Sequence, residues 1–221
     1  MSELVGTRVV LRPIATPLPL GFLALAVSTV LFSAVQLEWI APAEGRTAAL
    51  TALTATVPLQ LLASVMGFLT RDPVAATGMG VLSGTWAVVG FTTLTSAPGA
   101  VSAGLGVLLV TAGLAMFVPA AAALGSKLVP AAVMGVAGTR FVVTGIYEMT
   151  GSAAWKTAAG LVGLALAAVA FYAALALERE GARERTVLPV GRRGAGAAAM
   201  AGQGPLDPTD LVKEAGVRSQ L

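Results

Sequence analysis

Six apolar runs, each about long enough to cross a bilayer, constrain this chain more than any other feature. They fall at roughly 19–38, 47–69, 76–95, 101–124, 129–149 and 153–177. An α-helix covers the ~30 Å hydrocarbon core of a membrane in about 20 residues. In lipid every backbone N–H and C=O must be satisfied inside the segment, so runs of this length form helices. The spacing predicts an all-α, polytopic membrane protein built as a six-helix transmembrane bundle. The breaks between runs carry turn chemistry: "APAEGR" (41–46), "TRDP" (70–73), "TSAPGA" (95–100) and "GSKLVP" (125–130). Pro19 and Pro130 sit in first turns, where a missing N–H costs nothing. Pro58 lies inside the second run and is expected to kink it.

Composition supports the same class. The chain is 56% hydrophobic and 11% charged, whereas soluble domains are about 25% charged; a soluble fold would leave large apolar patches exposed. Gly and Ala are abundant, which suits close helix contact in lipid. The absence of Cys and His excludes thiolate chemistry and a disulfide framework, and removes the commonest general base and metal ligand. Glu148 is the one acid well inside a predicted span, so no carboxylate dyad is available. Neither an enzyme, a cofactor nor a metal site is expected.

Charge placement gives the topology. With both ends on one side, that side carries Arg8, Arg12, Arg71, Lys127 and the seven basic residues from Arg179 onward, against Arg46 and Lys156 on the other. Lys and Arg concentrate on the cytoplasmic side, so both termini are expected there; Arg outnumbers Lys 11 to 3, as in a GC-rich bacterial genome, so the expected location is the cytoplasmic (inner) membrane of a bacterium. The net charge of +3 is spread as topology signals rather than as a nucleic-acid-binding face. The expected organisation is a cytoplasmic N-terminal segment (1–16), a membrane domain (17–180) and a mostly flexible cytoplasmic tail (181–221). Residues 178–191, which run from the end of the membrane domain into the tail, read as a continuation of the sixth helix into the interface. Residues 207–221 are compatible with one short helix capped by Thr209 or Asp210.

Two end motifs carry a resemblance. The chain enters its first span through "ATPLPLGF" (15–22) and leaves its last through "ERTVLPVG" (184–191). This pair resembles the YaaH-type acetate uptake transporter family, whose members begin span one with Asn-Pro-Ala-Pro-Leu-Gly. Bacterial members close with Arg-Thr-Val-Leu-Pro-Ile-Gly. Pro17, Pro19, Leu20 and Gly21 match the first motif; Arg185 to Pro189 and Gly191 match the second; Gln60 and Trp86 fall where relatives carry Gln and Trp. The chain departs from the pattern at Thr16 and Leu18, and the family's span-three motif survives only as Trp86. The resemblance implies six spans, a homo-hexamer with one pore per protomer, and transport of a small anion such as acetate, with possible proton coupling. It also implies a narrowing at the positions of Leu25, Leu82 and Ala137, all smaller here than in relatives. Ammonia or another small neutral solute is the alternative cargo. A non-transporting scaffold or sensor is the alternative class.

Polar residues inside the spans supply further candidates. The N–H groups of Leu20 to Phe22, at the positive end of a helix dipole, can hold a carboxylate, with Thr16 as cap or anion contact; a rigid interfacial turn is the other reading. Gln60 must pair its amide, in a pore or across helices. Ser64 shares its face, while Ser83 and Thr85 can bond their own backbone. Arg140 lies mid-span with Thr144, Tyr147 and Glu148 on one face. Its charge requires a partner or an anion, and a structural or vestibule role is favoured over a narrow gate.

Overall fold

The computed structural model describes residues 15–183, 185–194 and 197. Six helices are long and apolar enough to cross a membrane: α1 (Leu18–Gln36), α2 (Pro42–Thr70), α3 (Pro73–Thr95), α4 (Ala103–Leu124), α5 (Leu128–Thr150) and α6 (Ala153–Arg183). The expected short helix within 207–221 lies outside the described residues.

Local chemistry sets the helix ends. Pro19 occupies the first turn of α1. Asp72 caps α3 by accepting from the Ala75 N–H at 3.1 Å, and Lys127 holds its other oxygen at 3.0 Å. Ser102 caps α4 through the Leu105 N–H. Gly151 closes α5 at φ +64°, where a side chain would be strained.

Pro58 acts through a change of helix type. The helix is π-helical over Ala52–Thr56, and the Val57 N–H reaches back to the Ala52 carbonyl. The widened turn gives the proline ring space against the preceding turn. The neighbourhood is tied across helices: Thr56 donates to the Ala24 carbonyl at 2.9 Å. Ser28 therefore donates to Thr56 across 2.6 Å. Ser83 Oγ donates to the Val57 carbonyl at 3.0 Å.

Packing is closest where side chains are absent. A Cβ on Gly113 would stand 2.7 Å from the Gly138 carbonyl oxygen, and one on Gly138 would stand 2.7 Å from that of Gly113. Gly106 and Gly145 repeat the arrangement one heptad away, at 2.8 and 2.7 Å. The backbones of α4 and α5 thus touch at two points, as small residues permit in lipid. α1 packs mainly on α6, and α2 on α3.

The last helix does not continue to residue 191. It ends at Arg183, and 185–194 turns back onto the start of α5. There the Leu128 and Val129 N–H groups donate to the Gly191 and Val190 carbonyls at 3.0 and 3.1 Å, and the Arg193 N–H to that of Ser126 at 2.9 Å. Glu180 holds the segment by accepting from Arg192 Nε at 3.0 and 3.1 Å and from Thr186 Oγ1 at 3.1 Å. Tyr172 donates to the Pro189 carbonyl at 2.9 Å. The first N–H groups of α5, which no helix can satisfy from within, are thereby paired.

Candidate functional site

Two helix faces build the interior. On α1, Phe22, Leu25, Thr29, Ser33 and Gln36 recur at steps of three or four and are all buried. On α5, Ala137, Arg140, Phe141 and Thr144 form the matching row. Arg140, at 2% exposure, joins them. Its Nη1 donates to Ser33 Oγ at 2.9 Å and to the Ala159 carbonyl of α6 at 3.3 Å; Nη2 donates to Gln36 Oε1 at 3.4 Å. The guanidinium lies over Gly163, where any side chain would collide with it. Arg140 therefore bridges α1, α5 and α6 through neutral acceptors.

The middle of the bundle is apolar. Leu25, Leu82 and Ala137 are fully buried in one contiguous cluster with Phe22, Met79, Trp86, Met134 and Phe141. Trp86 stands between Phe32 at 5.3 Å and Phe141 at 6.3 Å between ring centroids, the latter edge-on. Within this interior, Thr29 Oγ1, both amide atoms of Gln60, Trp86 Nε1 and Thr144 Oγ1 are buried without a hydrogen-bond partner among the described residues. Leaving a buried donor or acceptor unmade costs about 1–3 kcal/mol, so a native chain retains such groups for a reason. Gln60 makes no cross-helix hydrogen bond among the described residues. Its neighbour Ser64 instead donates to the Ala76 carbonyl at 2.6 Å. Thr85 bonds its own helix at Val81 O, 2.7 Å away.

A vestibule of about 360 Å³ opens at the end where α1 meets α2, α3 meets α4 and α5 approaches α6; Phe32, Gln36, Arg46, Tyr147, Glu148 and Lys156 are among its walls. Glu148 accepts from the Ser102 N–H at 2.9 Å. Lys156 donates to the exposed Glu38 at 2.7 Å. Gln36 therefore touches both the vestibule and Arg140.

The α1 opening motif sits apart from this group. Thr16 is exposed while Pro17 and Pro19 are buried, and no side chain caps the helix. The Gly21 N–H donates to the Pro17 carbonyl at 3.3 Å, so it is already engaged. Gly21 abuts Met79 of α3, whose sulfur occupies the place of a Cβ. The residues that sequence reasoning passed over are Thr29, Ser33 and Gln36. Their signal was present: polar side chains at positions 29, 33 and 36 of an otherwise apolar span share one helical face.

The structure is similar to the solved structure of the bacterial acetate channel SatP, with a TM-score of 0.70 and 24% sequence identity. The chain has the fold of that channel. The likeness covers 80% of this chain and 99% of SatP, so nearly the whole of the SatP chain has a counterpart here. At this identity it establishes the architecture. No protein-family model matches the chain, and no curated protein matches it.

Proposed function

We propose that the protein is a membrane channel or transporter for a small monocarboxylate such as acetate, set in the bacterial inner membrane with both termini cytoplasmic. The SatP fold, complete in this chain, carries the reading. The unpaired polar atoms of Thr29, Gln60, Trp86 and Thr144 support it, since groups left unmade along an apolar interior suit a solute that pairs them in passing. Leu25, Leu82 and Ala137 form the apolar middle of the route, with Gln60 beside it. Pro17, Pro19 and Gly21 set the angle and close packing of α1 at the cytoplasmic end, and Thr16 faces solvent there. Assembly as a homo-oligomer, a hexamer by family resemblance, belongs to the same proposal.

Labelled acetate uptake in cells lacking their own acetate transporters tests the function. Uptake above the empty vector is expected. Uptake no better than vector, with the protein demonstrably in the membrane, sinks the proposal. A pH gradient across proteoliposomes then separates passive flux from proton coupling, which predicts accumulation above equilibrium.

A further inference from the structure

Arg140 carries a full charge into the bundle and meets only neutral acceptors. Ser33, Ala159 and Gln36 accept from it, and among the described residues no carboxylate pairs with it. A buried cation without counter-charge is costly even when hydrogen-bonded. Neutral dipoles offset part of that cost; an anion offsets more.

Three observations bear on where such an anion would bind. The bonds to Gln36 and Ala159, at 3.4 and 3.3 Å, are both longer than the ordinary N–H···O range, and of the three acceptors Gln36 is the one that walls the vestibule. A long bond to an acceptor that borders the cavity is the one an entering anion can replace. Thr144 lies one turn along α5 from Arg140, toward the vestibule residues Tyr147 and Glu148, and its buried hydroxyl has no partner. A guanidinium also offers five donors, and Arg140 Nε makes no bond among the described residues.

We propose that Arg140 and Thr144 form an anion station behind the Gln36 wall of the vestibule, which takes a small monocarboxylate when Gln36 yields its place on Nη2. The carboxylate accepts from the guanidinium and from the Thr144 hydroxyl, while Ser33 and Ala159 keep Nη1 in position. This deepens the transport reading and rests on it for the identity of the anion. The station lies between the vestibule and the apolar middle, so it selects on charge before the Leu25–Leu82–Ala137 cluster selects on size.

The test uses the full chain in lipid nanodiscs, with acetate as probe and acetamide as its uncharged isostere, read by titration calorimetry. Acetate flux is measured in proteoliposomes from the same preparations. The wild type is expected to bind acetate and not acetamide. Arg140→Gln is expected to weaken acetate binding roughly ten- to a hundredfold, as loss of a charge-assisted bond implies. Thr144→Val, which keeps the shape, is expected to weaken it roughly two- to tenfold, as loss of a neutral bond implies. Equal binding of acetamide, or no acetate binding by the wild type, overturns the proposal. So does unchanged binding in Arg140→Gln or, where that variant does not assemble, in Thr144→Val. Acetate binding that depends on Arg140 without any flux rejects the transport reading and keeps the station. Flux and binding that survive intact in Arg140→Gln reject the station and keep transport.

Discussion

Gly113→Ala is the sharpest probe of how this bundle is held together. The new Cβ would stand 2.7 Å from the Gly138 carbonyl oxygen, 2.8 Å from Val142 Cγ2 and 3.0 Å from the Val142 nitrogen. Two of these three atoms are backbone and cannot rotate away. Carbon–oxygen contacts between neighbouring backbones settle near 3.3–3.6 Å, so α4 and α5 must part by roughly 0.6–0.9 Å at this point. The second glycine pair, Gly106 with Gly145, lies seven residues off, about 10 Å along the axis, and holds the other end. The helices therefore tilt apart by a few degrees, and contacts near the substituted end lose a quarter to a half of their dispersion energy at gaps of this size. Overpacking of this kind costs about 1–3 kcal/mol. For a chain of this length that lowers Tm by about 2–4 °C per kcal/mol. Thermal unfolding of the detergent-solubilised protein reads it directly. Gly135→Ala on α5 is the control: nothing lies within 4 Å of its Cβ, so helix propensity should leave Tm unchanged or raise it. Gly138→Ala should resemble Gly113→Ala, and the double variant should cost less than the sum, because one separation relieves both clashes. If both single variants melt within about 1 °C of the parent, the two helices are not limited by backbone contact and the packing argument fails.

Two other outcomes follow from the polar contacts at the ends. Glu180→Gln removes the charge that holds Arg192, so the 185–194 segment should open more often, by about tenfold for each ~1.4 kcal/mol lost. Limited trypsin digestion at Arg185, Arg192 and Arg193 should accelerate, and an unchanged rate would show that the backbone bonds to α5 suffice alone. At the vestibule rim, Lys156 holds the Glu38 carboxyl below its ordinary value of 4.5, by a hydrogen bond first and by charge second. Because the folded value is depressed, the pair stabilises above the ordinary value, and that contribution fades as pH falls through the lowered one. Any Tm difference between wild type and Lys156→Gln at neutral pH should therefore vanish once Glu38 is protonated; a difference that persists in acid would assign it to packing of the lysine stem.

The spans were legible in the sequence because lipid leaves the backbone little choice. The expected run at 76–95 became Pro73–Thr95, the added turn coming from the Asp72 cap, and that at 129–149 became Leu128–Thr150, one residue longer at each end. Pro58 announced a disturbance but not its form: the chain widened into a π-turn at Ala52–Thr56 because cross-helix bonds from Thr56 and Ser83 were available to hold it. Arg140 announced a need for partners but not their identity, since Ser33 and Gln36 lie 107 and 104 residues away and only the packing of both α1 and α5 on α6 brings them near. The turn-back after Arg183 was hidden for a related reason. Its drive is the row of unpaired N–H groups opening α5, a requirement of a distant helix.

The length of α6 has a consequence for the bilayer itself. At 31 residues it is about 46 Å long at 1.5 Å per residue, while α1 and α5, at 19 and 23 residues, come close to the ~30 Å core. Its last two turns carry Glu178, Arg179, Glu180 and Arg183. Thickening the membrane at that end would draw these groups toward hydrocarbon, where a charge is costly, whereas the shorter helices would resist only fractionally per ångström. α6 is therefore the depth gauge of the bundle. A change in lipid thickness would be felt as shear between α6 and α1, the helix packed along it, which is where Arg140 joins the two.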